Sequence, residues 1–171
     1  MNEGEEVFSV VDEKDNVIGA QRRSILHSGD KLIHRAVHIL VVNDAGKIAV
    51  QKRSRKKDLY AGTLASSASG HVEEGETYIE AAERELSEEL PNVCGELREV
   101  GRFLVETGFE REWSALFVCR FSGEIDFDYG EAESVEYMSP ATIKEKRKKG
   151  LTSLVFDRVM DEYLKTIRDR F

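Results

Sequence analysis

Three carboxylates stand close together in the sequence, at Glu85, Glu88 and Glu89. On a helix, residues three and four apart are neighbours, so the three side chains would share one face. Several negative charges on one face are costly unless a cation binds among them. Oxygen ligands in this number suit Mg²⁺, Mn²⁺ or Ca²⁺, and Mg²⁺ is usually bound by one or two carboxylates together with substrate phosphates. The sequence therefore predicts a divalent-metal site suited to phosphate chemistry.

The elements that position these carboxylates also follow from the sequence. Thr77-x-x-Glu80 is a capping box, which predicts a helix that begins at Tyr78. We expect Gly75 to allow the turn before the helix through a positive φ angle. Pro91 should end the helix, because proline cannot continue it. The residues expected on the core-facing side of the helix are Ile79, Ala82, Leu86 and Leu90.

The spacing of this region resembles the Nudix box. In that family a Gly is followed after five residues by Glu, and after seven more by Arg-Glu, an aliphatic residue, any residue and Glu-Glu. The matching positions in this chain are Gly70, Glu76, Arg84, Glu85, Leu86, Glu88 and Glu89. The family pattern then has a Gly and an aliphatic residue, where this chain has Pro91 and Asn92. That departure affects how the helix ends and leaves the metal face intact.

The resemblance implies a fold and a set of site residues. The fold is α/β, a Nudix-type α/β/α sandwich with a mixed curved sheet and the loop and helix of the box. The implied metal ligands are Gly70, through its carbonyl, and Glu85, Glu88 and Glu89, with Glu85 and Glu88 also catalytic. Two interpretations of Arg84 are open: a local ion pair with Glu80 or Glu88, or a reach back to the loop to hold Glu76. We favour the second, which the resemblance implies.

Outside the box the chain resembles Nudix proteins related to isopentenyl diphosphate isomerase. In that isomerase a metal is held by three His and two Glu, and the matching positions here are His27, His34, His71, Glu110 and Glu112. A second metal site is one interpretation, with Zn or Mn as the metal that imidazole suits; structural or substrate-facing His residues are the other. The isomerase also needs a Cys where this chain has Ser69. An unperturbed thiol titrates near ~8.5 and a hydroxyl far higher, so Ser69 argues against isomerase chemistry.

A carboxylate from outside the box usually completes a site of this kind or acts as its base. The candidates are Glu110, Glu112, Glu131 and Glu133. We expect Glu112 to take the catalytic role, because it stands just before a strand that we predict to be central. A solvated surface carboxylate is the alternative for each of the four.

Basic residues precede the box and could bind substrate phosphates, since guanidinium groups bind phosphate oxygens in pairs. They are Arg35, Lys52, Arg53, Arg55, Lys56 and Lys57. For most of them a solvated loop is the simpler interpretation. The substrate contacts that we expect are Arg35, Arg53, His34 and His71.

Residue patterns predict the remaining elements. Strands are expected at 8–11, 17–19, 36–42, 48–50, 64–69, 100–106, 113–121 and 135–138. A helix should begin at Pro140, with Ser139 as its cap. A final amphipathic helix should cover about 153–170. The residues of this last helix expected to face inward are Leu154, Val155, Val159, Tyr163 and Ile167.

Size and composition indicate one domain over residues 1–171, with an N-terminal hairpin extension (1–34), the box (70–93) and C-terminal helices (140–171). The net charge of −8 and pI of about 5.2 disfavour binding to nucleic acids or anionic membranes. No apolar run approaches the roughly 18 residues of a membrane span. The polar N-terminus does not resemble a secretory signal, so we expect a cytoplasmic protein with reduced Cys94 and Cys119. A homodimer is compatible with these features.

The function that we expect is Mg²⁺-dependent hydrolysis of the diphosphate bond in a nucleoside diphosphate linked to another group, X. Mn²⁺ is the other candidate metal, and the expected partner is a small-molecule diphosphate substrate. One alternative is isopentenyl diphosphate isomerase-like activity. Another is a non-catalytic module that binds nucleotides. The identity of X depends on loops around the site, which we place at 54–64 and 122–133.

Overall fold

A computed structural model describes residues 6–26, 28, 32–108 and 111–168. Within these residues the chain forms strands β1 (Val7–Val11), β2 (Val17–Arg22), β3 (Ile33–Val42), β4 (Ile48–Arg53), β5 (Leu64–Ala65), β6 (Ala68–His71), β7 (Arg98–Glu106), β8 (Arg111–Arg120) and β9 (Ala132–Met138). The helices of the described residues are α1 (Arg23–Leu26), α2 (Tyr78–Glu89), α3 (Pro140–Lys148) and α4 (Leu154–Arg168). The protein has a mixed α/β fold, as the sequence predicts.

The described strands form a single mixed sheet around β3. Strand β3 pairs with β1, β4 and β6 in antiparallel fashion and with β8 in parallel. Strand β2 extends the sheet beyond β1, β7 pairs with β8, and β5 and β9 pair with β4. Because so many strands meet on β3, residues far apart in sequence are brought next to one another there.

Helices cover both faces of the sheet, and the alternation of side chains along β3 shows this arrangement. Val37, Ile39 and Val41 belong to an apolar cluster with α2, whereas Leu40 and Val42 belong to a second cluster with α3 and α4. All five residues are buried. A strand buried on both faces has a nearly continuous apolar sequence, which explains why β3 was recognisable from its sequence.

The segment 64–69 differs from the sequence prediction of one short strand. It contains two strands: β5 pairs with β4, and β6 pairs with β3. Between them Ser67 is fully buried, and its hydroxyl donates to the Ala49 carbonyl and accepts from the Val41 amide. These hydrogen bonds let the chain pass from one strand partner to the other, a feature that short-range patterns do not encode.

Two residues expected to face inward are exposed. Ile79 on α2 is 39% exposed and Leu154 on α4 is 57% exposed. On α2 the buried face includes Tyr78 and Ala81 together with Ala82, so it is turned to one side of the face that the sequence predicts. On α4 the buried stripe begins at Val155. None of the helices in the described part of the chain is long and apolar enough to cross a membrane.

Candidate active site

The loop before α2 is held in shape by its own hydrogen bonds. Gly75 has φ of +87°, which confirms the expected left-handed turn. The Glu73 amide donates to the Glu76 carboxylate (2.9 Å), and the Glu76 amide donates to the Glu73 carbonyl (3.1 Å). Thr77 and Glu80 form both halves of the capping box, so α2 begins where the sequence predicts.

Arg84 extends from α2 back to this loop. Its Nε and Nη2 atoms donate to the two carboxylate oxygens of Glu76 (2.8 and 3.0 Å), and Nη2 also donates to the His71 carbonyl (2.9 Å). The predicted contact between Arg84 and Glu76 is therefore present, and it lowers the pKa of Glu76. The ion pair between Arg84 and Glu88, which was the alternative role of Arg84, is weaker, because the Glu88 carboxylate lies 3.8 Å from Arg84 and is 60% exposed.

The three carboxylates of α2 line one cavity of about 320 Å³. They are not equally exposed: the Glu85 and Glu89 side chains are largely buried, whereas that of Glu88 is open to solvent. Burial raises the pKa of Glu85 to about 7, although the neighbouring Arg84 opposes this shift. Burial and the charge of Glu85 raise the pKa of Glu89 to about 8. The helix thus holds buried carboxylates that lack enough positive charge to stabilise their ionised forms.

Glu89 is held by two groups from the sheet. The Gln51 side-chain amide donates to its Oε2 atom (2.7 Å), and the Ser69 backbone amide lies 3.3 Å from its Oε1 atom. Gln51 is itself buried. Sequence reasoning missed Gln51, because it stands in a polar run at the end of β4 and only the strand register shows which residue of that run faces α2.

Gly70 lies directly against the Glu85 carboxylate. A Cβ atom added at Gly70 would overlap the carboxylate group of Glu85. A glycine is therefore required for this backbone to approach the acidic face of α2 so closely. The Gly70 backbone and the three carboxylates of α2, two of which have raised pKa values, offer hard oxygen ligands. Ligands of this kind fit a divalent cation.

Glu131, one of the carboxylates outside the box that line this cavity, lies close to Glu85 and Glu89. It lines the same cavity, and its charge contributes to the raised pKa values of both Glu85 and Glu89. Lys57 also lines the cavity and forms an ion pair with Glu131 at 2.7 Å. Glu133, in contrast, is paired with Lys52 at 2.9 Å outside the cavity lining.

Glu112, the expected catalytic carboxylate, also lines this cavity and is buried. It lies within β8 rather than before it. Glu112, His34 and His71 each offer one atom that could bind a metal, and these three atoms lie within 4.8 Å of one another. The Oε1 atom of Glu112 also lies 3.3 Å from His38 Nε2 and accepts from the Ser114 hydroxyl (2.9 Å). Burial alone would raise the pKa of Glu112, but the hydrogen bond and charge of His38 hold it below its ordinary value.

The N-terminal hairpin forms part of the cavity wall, which the sequence did not predict. Phe8 of β1 lines the cavity and stacks on the His71 ring, with centroids 4.5 Å apart and planes 19° apart. Arg23 of α1 lines the cavity as well. The expected ligands His27 and Glu110 lie outside the described residues.

The basic residues divide between the cavity and the rest of the molecule. Arg53 lines the cavity, as does His71, whereas His34 is buried behind this surface. Arg35 does not line it. Its side chain donates to the Asp15 carboxylate and carbonyl (2.7 Å each) and lies over the Tyr78 ring. The expected substrate contact of Arg35 is not supported, because neighbouring residues of β3 point to opposite faces of the sheet and Arg35 points away from His38.

Comparison with known proteins places this geometry in a family. A model of the NUDIX domain matches residues 32–156. An uncharacterised Nudix hydrolase of Yersinia pestis is 38% identical over 138 residues, which cover 81% of this chain and 75% of that protein. The match to the NUDIX model includes strands β3 to β9 and the whole of α2.

Solved structures agree with this result at the level of the fold. DR0079 of Deinococcus radiodurans superposes with a TM-score of 0.80 at 24% identity, covering 92% of this chain and 99% of that one. The NUDIX domain of NrtR from Shewanella oneidensis, crystallised with ADP ribose, gives a TM-score of 0.60 at 14% identity, covering 79% of this chain and 86% of that one. The family model and the sequence relative together show that the chain belongs to the Nudix hydrolase family and is a pyrophosphohydrolase.

Proposed function

We propose that the protein hydrolyses, with Mg²⁺ or Mn²⁺, the diphosphate bond of a nucleoside diphosphate linked to a group X. The observation that carries this proposal is the close approach of the bare Gly70 backbone to Glu85, in a cavity that Glu88 and Glu89 also line. The NrtR domain, which shares the fold, is described with ADP ribose, a molecule of this class. The substrate is a small molecule, in keeping with a cavity of about 320 Å³.

The residues that would hold the cation are Gly70, through its carbonyl, and Glu85, Glu88 and Glu89. When bound, a divalent cation offsets the charge of the diphosphate and makes hydroxide available near neutral pH. The raised pKa values of Glu85 and Glu89 support this assignment, because added positive charge would stabilise their ionised forms.

The remaining steps belong to side chains of the protein. The oxygen of a water molecule attacks one phosphorus atom, and the anhydride bond to the bridging oxygen breaks. Glu88, whose carboxylate is exposed within the cavity, accepts the proton that this water loses. The products are a nucleoside monophosphate and the phosphate ester of X. Arg84 keeps the loop in place by holding Glu76, and thereby fixes the position of Gly70.

The phosphate groups need cationic partners in the same cavity. Arg53 and Lys57 line it, and both come from the end of β4 or the loop that follows. We propose that they bind the phosphate oxygens, Arg53 through its planar guanidinium and Lys57 as a point charge. Glu131 would fix the position of Lys57 through their ion pair.

The test is turnover of a panel of diphosphate compounds with Mg²⁺ or Mn²⁺. We expect release of a nucleoside monophosphate, and a loss of at least about a hundredfold in Glu89→Gln, as for other preorganised electrostatic groups. Glu83→Gln is the matched control, because Glu83 is an exposed carboxylate on the same helix and does not line the cavity. Full activity in Glu89→Gln would exclude α2 from the mechanism.

A second candidate, isopentenyl diphosphate isomerisation, is motivated by the convergence of His34, His71 and Glu112. Two imidazoles with an ionised carboxylate suit Zn²⁺ or Mn²⁺, and we propose that this group can hold such an ion. Ser69 stands where the isomerase pattern has Cys, so we rank this activity second. Incubation with isopentenyl diphosphate decides the matter, since absence of the dimethylallyl product rejects it.

A further inference from the structure

Tyr129 is the most exposed large hydrophobic side chain of the described residues, with 79% of its surface open to solvent. It belongs to the loop between β8 and β9 and stands beside the cavity of the candidate active site. Asp128 and Glu131, which lie on either side of it in the sequence, both line that cavity. Covering an exposed aromatic ring with a flat ligand is favourable, because it removes apolar surface from water.

The loop holds the backbone of Tyr129 in one place. The Asp128 amide donates to the Glu89 carbonyl (3.0 Å), which joins the loop to the end of α2. The Asp128 carbonyl accepts from the Glu131 amide (3.1 Å), and the Asp128 carboxylate accepts from the Gly130 amide (2.7 Å). These hydrogen bonds close a tight turn with Tyr129 at its corner, so the residue is positioned before a ligand binds.

The ring of Tyr129 has a supported side and an open side. Its centroid lies 4.7 Å from that of the Phe127 ring, and the two planes are tilted by 49°. Phe127 in turn packs against the apolar cluster that contains Leu86 and Leu90. The contact with Phe127 therefore backs one side of the Tyr129 ring, and the other side faces solvent. An open aromatic face of this kind can stack on any nucleobase, because every base has a π face.

The described lining of the cavity offers a nucleobase little to stack on. Phe8 and Phe156 line it but are only 2% and 1% exposed, and one side of the His71 ring is covered by Phe8. Tyr60, which also lines it, packs against the core beneath α4. The volume of about 320 Å³ is near the lower end for small-molecule sites, so a nucleoside diphosphate linked to X extends beyond the cavity.

On the basis of the function proposed above, we infer that Tyr129 stacks on the nucleobase of the substrate. With the diphosphate at the acidic face of α2, the nucleoside extends past Asp128 onto the open side of the Tyr129 ring. Stacking needs an aromatic base but no particular pattern of hydrogen bonds. Tyr129 thus favours nucleoside diphosphates over diphosphates of sugars alone, without selecting one base.

The first test compares binding of two ligands in the presence of Mg²⁺. One is the α,β-methylene analogue of ADP, which cannot be cleaved at the anhydride, and the other is the same ribose compound without its adenine. The two ligands carry the same charge, so the difference in their dissociation constants reports on the base. We expect the ADP analogue to bind about tenfold or more tightly, the scale of one base stacked on an aromatic side chain. Equal binding, weaker binding of the ADP analogue or no binding of either ligand overturns the inference.

The second test changes the ring. Tyr129→Ala should remove most of the tenfold difference between the two ligands, whereas Tyr129→Phe, which keeps an aromatic face, should retain it. Ile18→Ala is the matched control, because Ile18 is 65% exposed and does not line the cavity. A difference that persists in Tyr129→Ala, or that is equally lost in Ile18→Ala, contradicts the role of Tyr129.

Turnover separates failure of this contact from failure of the proposed function. If ADP-ribose and the other nucleotides of the panel are not hydrolysed, the hydrolase proposal fails, and binding of the two analogues still decides the role of Tyr129. If ADP-ribose is hydrolysed, we expect Tyr129→Ala to raise KM by about tenfold with little change in kcat, because stacking on the base is the same in the ground state and the transition state. An unchanged KM in Tyr129→Ala rejects the stacking contact and leaves the hydrolase proposal standing.

Discussion

Glu89 illustrates how burial prepares a side chain for a ligand. It is 5% exposed, and its main partners are neutral donors, the amides of Gln51 and Ser69. Neutral donors only partly replace water around a carboxylate, so its charged form is disfavoured and its pKa rises to about 8. In the proposed site a cation would offset this cost, and without one the raised pKa of Glu89 makes the stability of the protein depend on pH.

We predict that the metal-free protein becomes less stable as pH rises from about 5 to about 8. The folded-state pKa values of Glu85 and Glu89, about 7 and about 8, lie above the ordinary 4.5. Through this window the folded protein binds more protons than the unfolded chain, so the free energy of unfolding falls as pH increases. Urea unfolding in the presence of a chelator measures this dependence.

Glu89→Gln should flatten that dependence, because the amide does not titrate, and should stabilise the metal-free protein near pH 8. Glu83→Gln, an exposed change on α2, provides the comparison. Equal slopes of stability against pH in the wild type and Glu89→Gln would show that Glu89 is ionised in the folded protein throughout this range.

Gly70 gives a second prediction at the scale of a residue. In Gly70→Ala the new methyl group displaces the Glu85 carboxylate, which can rotate away at small cost to stability. We expect kcat/KM to fall by about a hundredfold, the usual consequence of an ångström-scale misplacement. Gly19→Ala is the control, since nothing lies within 4 Å of a Cβ atom there. Unchanged activity in Gly70→Ala would remove this backbone from the site.

At the scale of elements, α2 and its preceding loop behave as one unit. The capping box fixes the start of the helix, and Arg84 ties the helix to Glu76 in the loop. The capping box was predictable because it depends on residues three positions apart, whereas the contact of Arg84 with Glu76 was chosen over a local ion pair because the family resemblance implies it. The exposure of Ile79 was not predictable, because the rotation of α2 depends on the sheet beneath it.

This unit can be tested with a double-mutant cycle. Arg84→Gln and Glu76→Gln should each lower kcat/KM by about tenfold or more, and the double variant should be no worse than the poorer single variant. The reason is that either change alone already releases the loop. Arg84→Gln combined with Glu80→Gln is the reference pair, for which we expect additive effects. Additive effects for Arg84 and Glu76 would mean that their contact does not position the loop.

At the scale of the whole molecule, the N-terminal hairpin is tied to the Nudix fold by Asp15. Its carboxylate accepts from Arg35 (2.7 Å) and from the Tyr78 hydroxyl (2.9 Å), and lies 3.4 Å from Arg102. The turn between β1 and β2 thus contacts the start of α2 as well as β3 and β7. Because Phe8 of the same hairpin stacks on His71, this attachment also supports the cavity wall.

Asp15→Ala should lower the free energy of unfolding by about 2 kcal/mol or more, because it leaves partly buried Arg35 and Tyr78 without this acceptor. Urea unfolding is the measurement. Asp44→Ala in the turn between β3 and β4 is the control, since Asp44 is exposed. Similar losses for the two variants would show that the Asp15 contacts contribute little to stability.

The sequence by itself determined the local part of the site: the carboxylates of α2, the turn at Gly75 and the capping box, while the Arg84 contact to the loop was implied by the family resemblance. The carboxylates share a face because residues three and four apart on a helix must be neighbours. Only the tertiary structure decided that Gln51 and Glu131 join these carboxylates, that Glu112 lies with His34 and His71, and that Arg35 turns to Asp15. Such contacts depend on strand order and register, and a shift of one residue in register would send the strand residues among them, such as Gln51, Glu112 and Arg35, to the other face of the sheet.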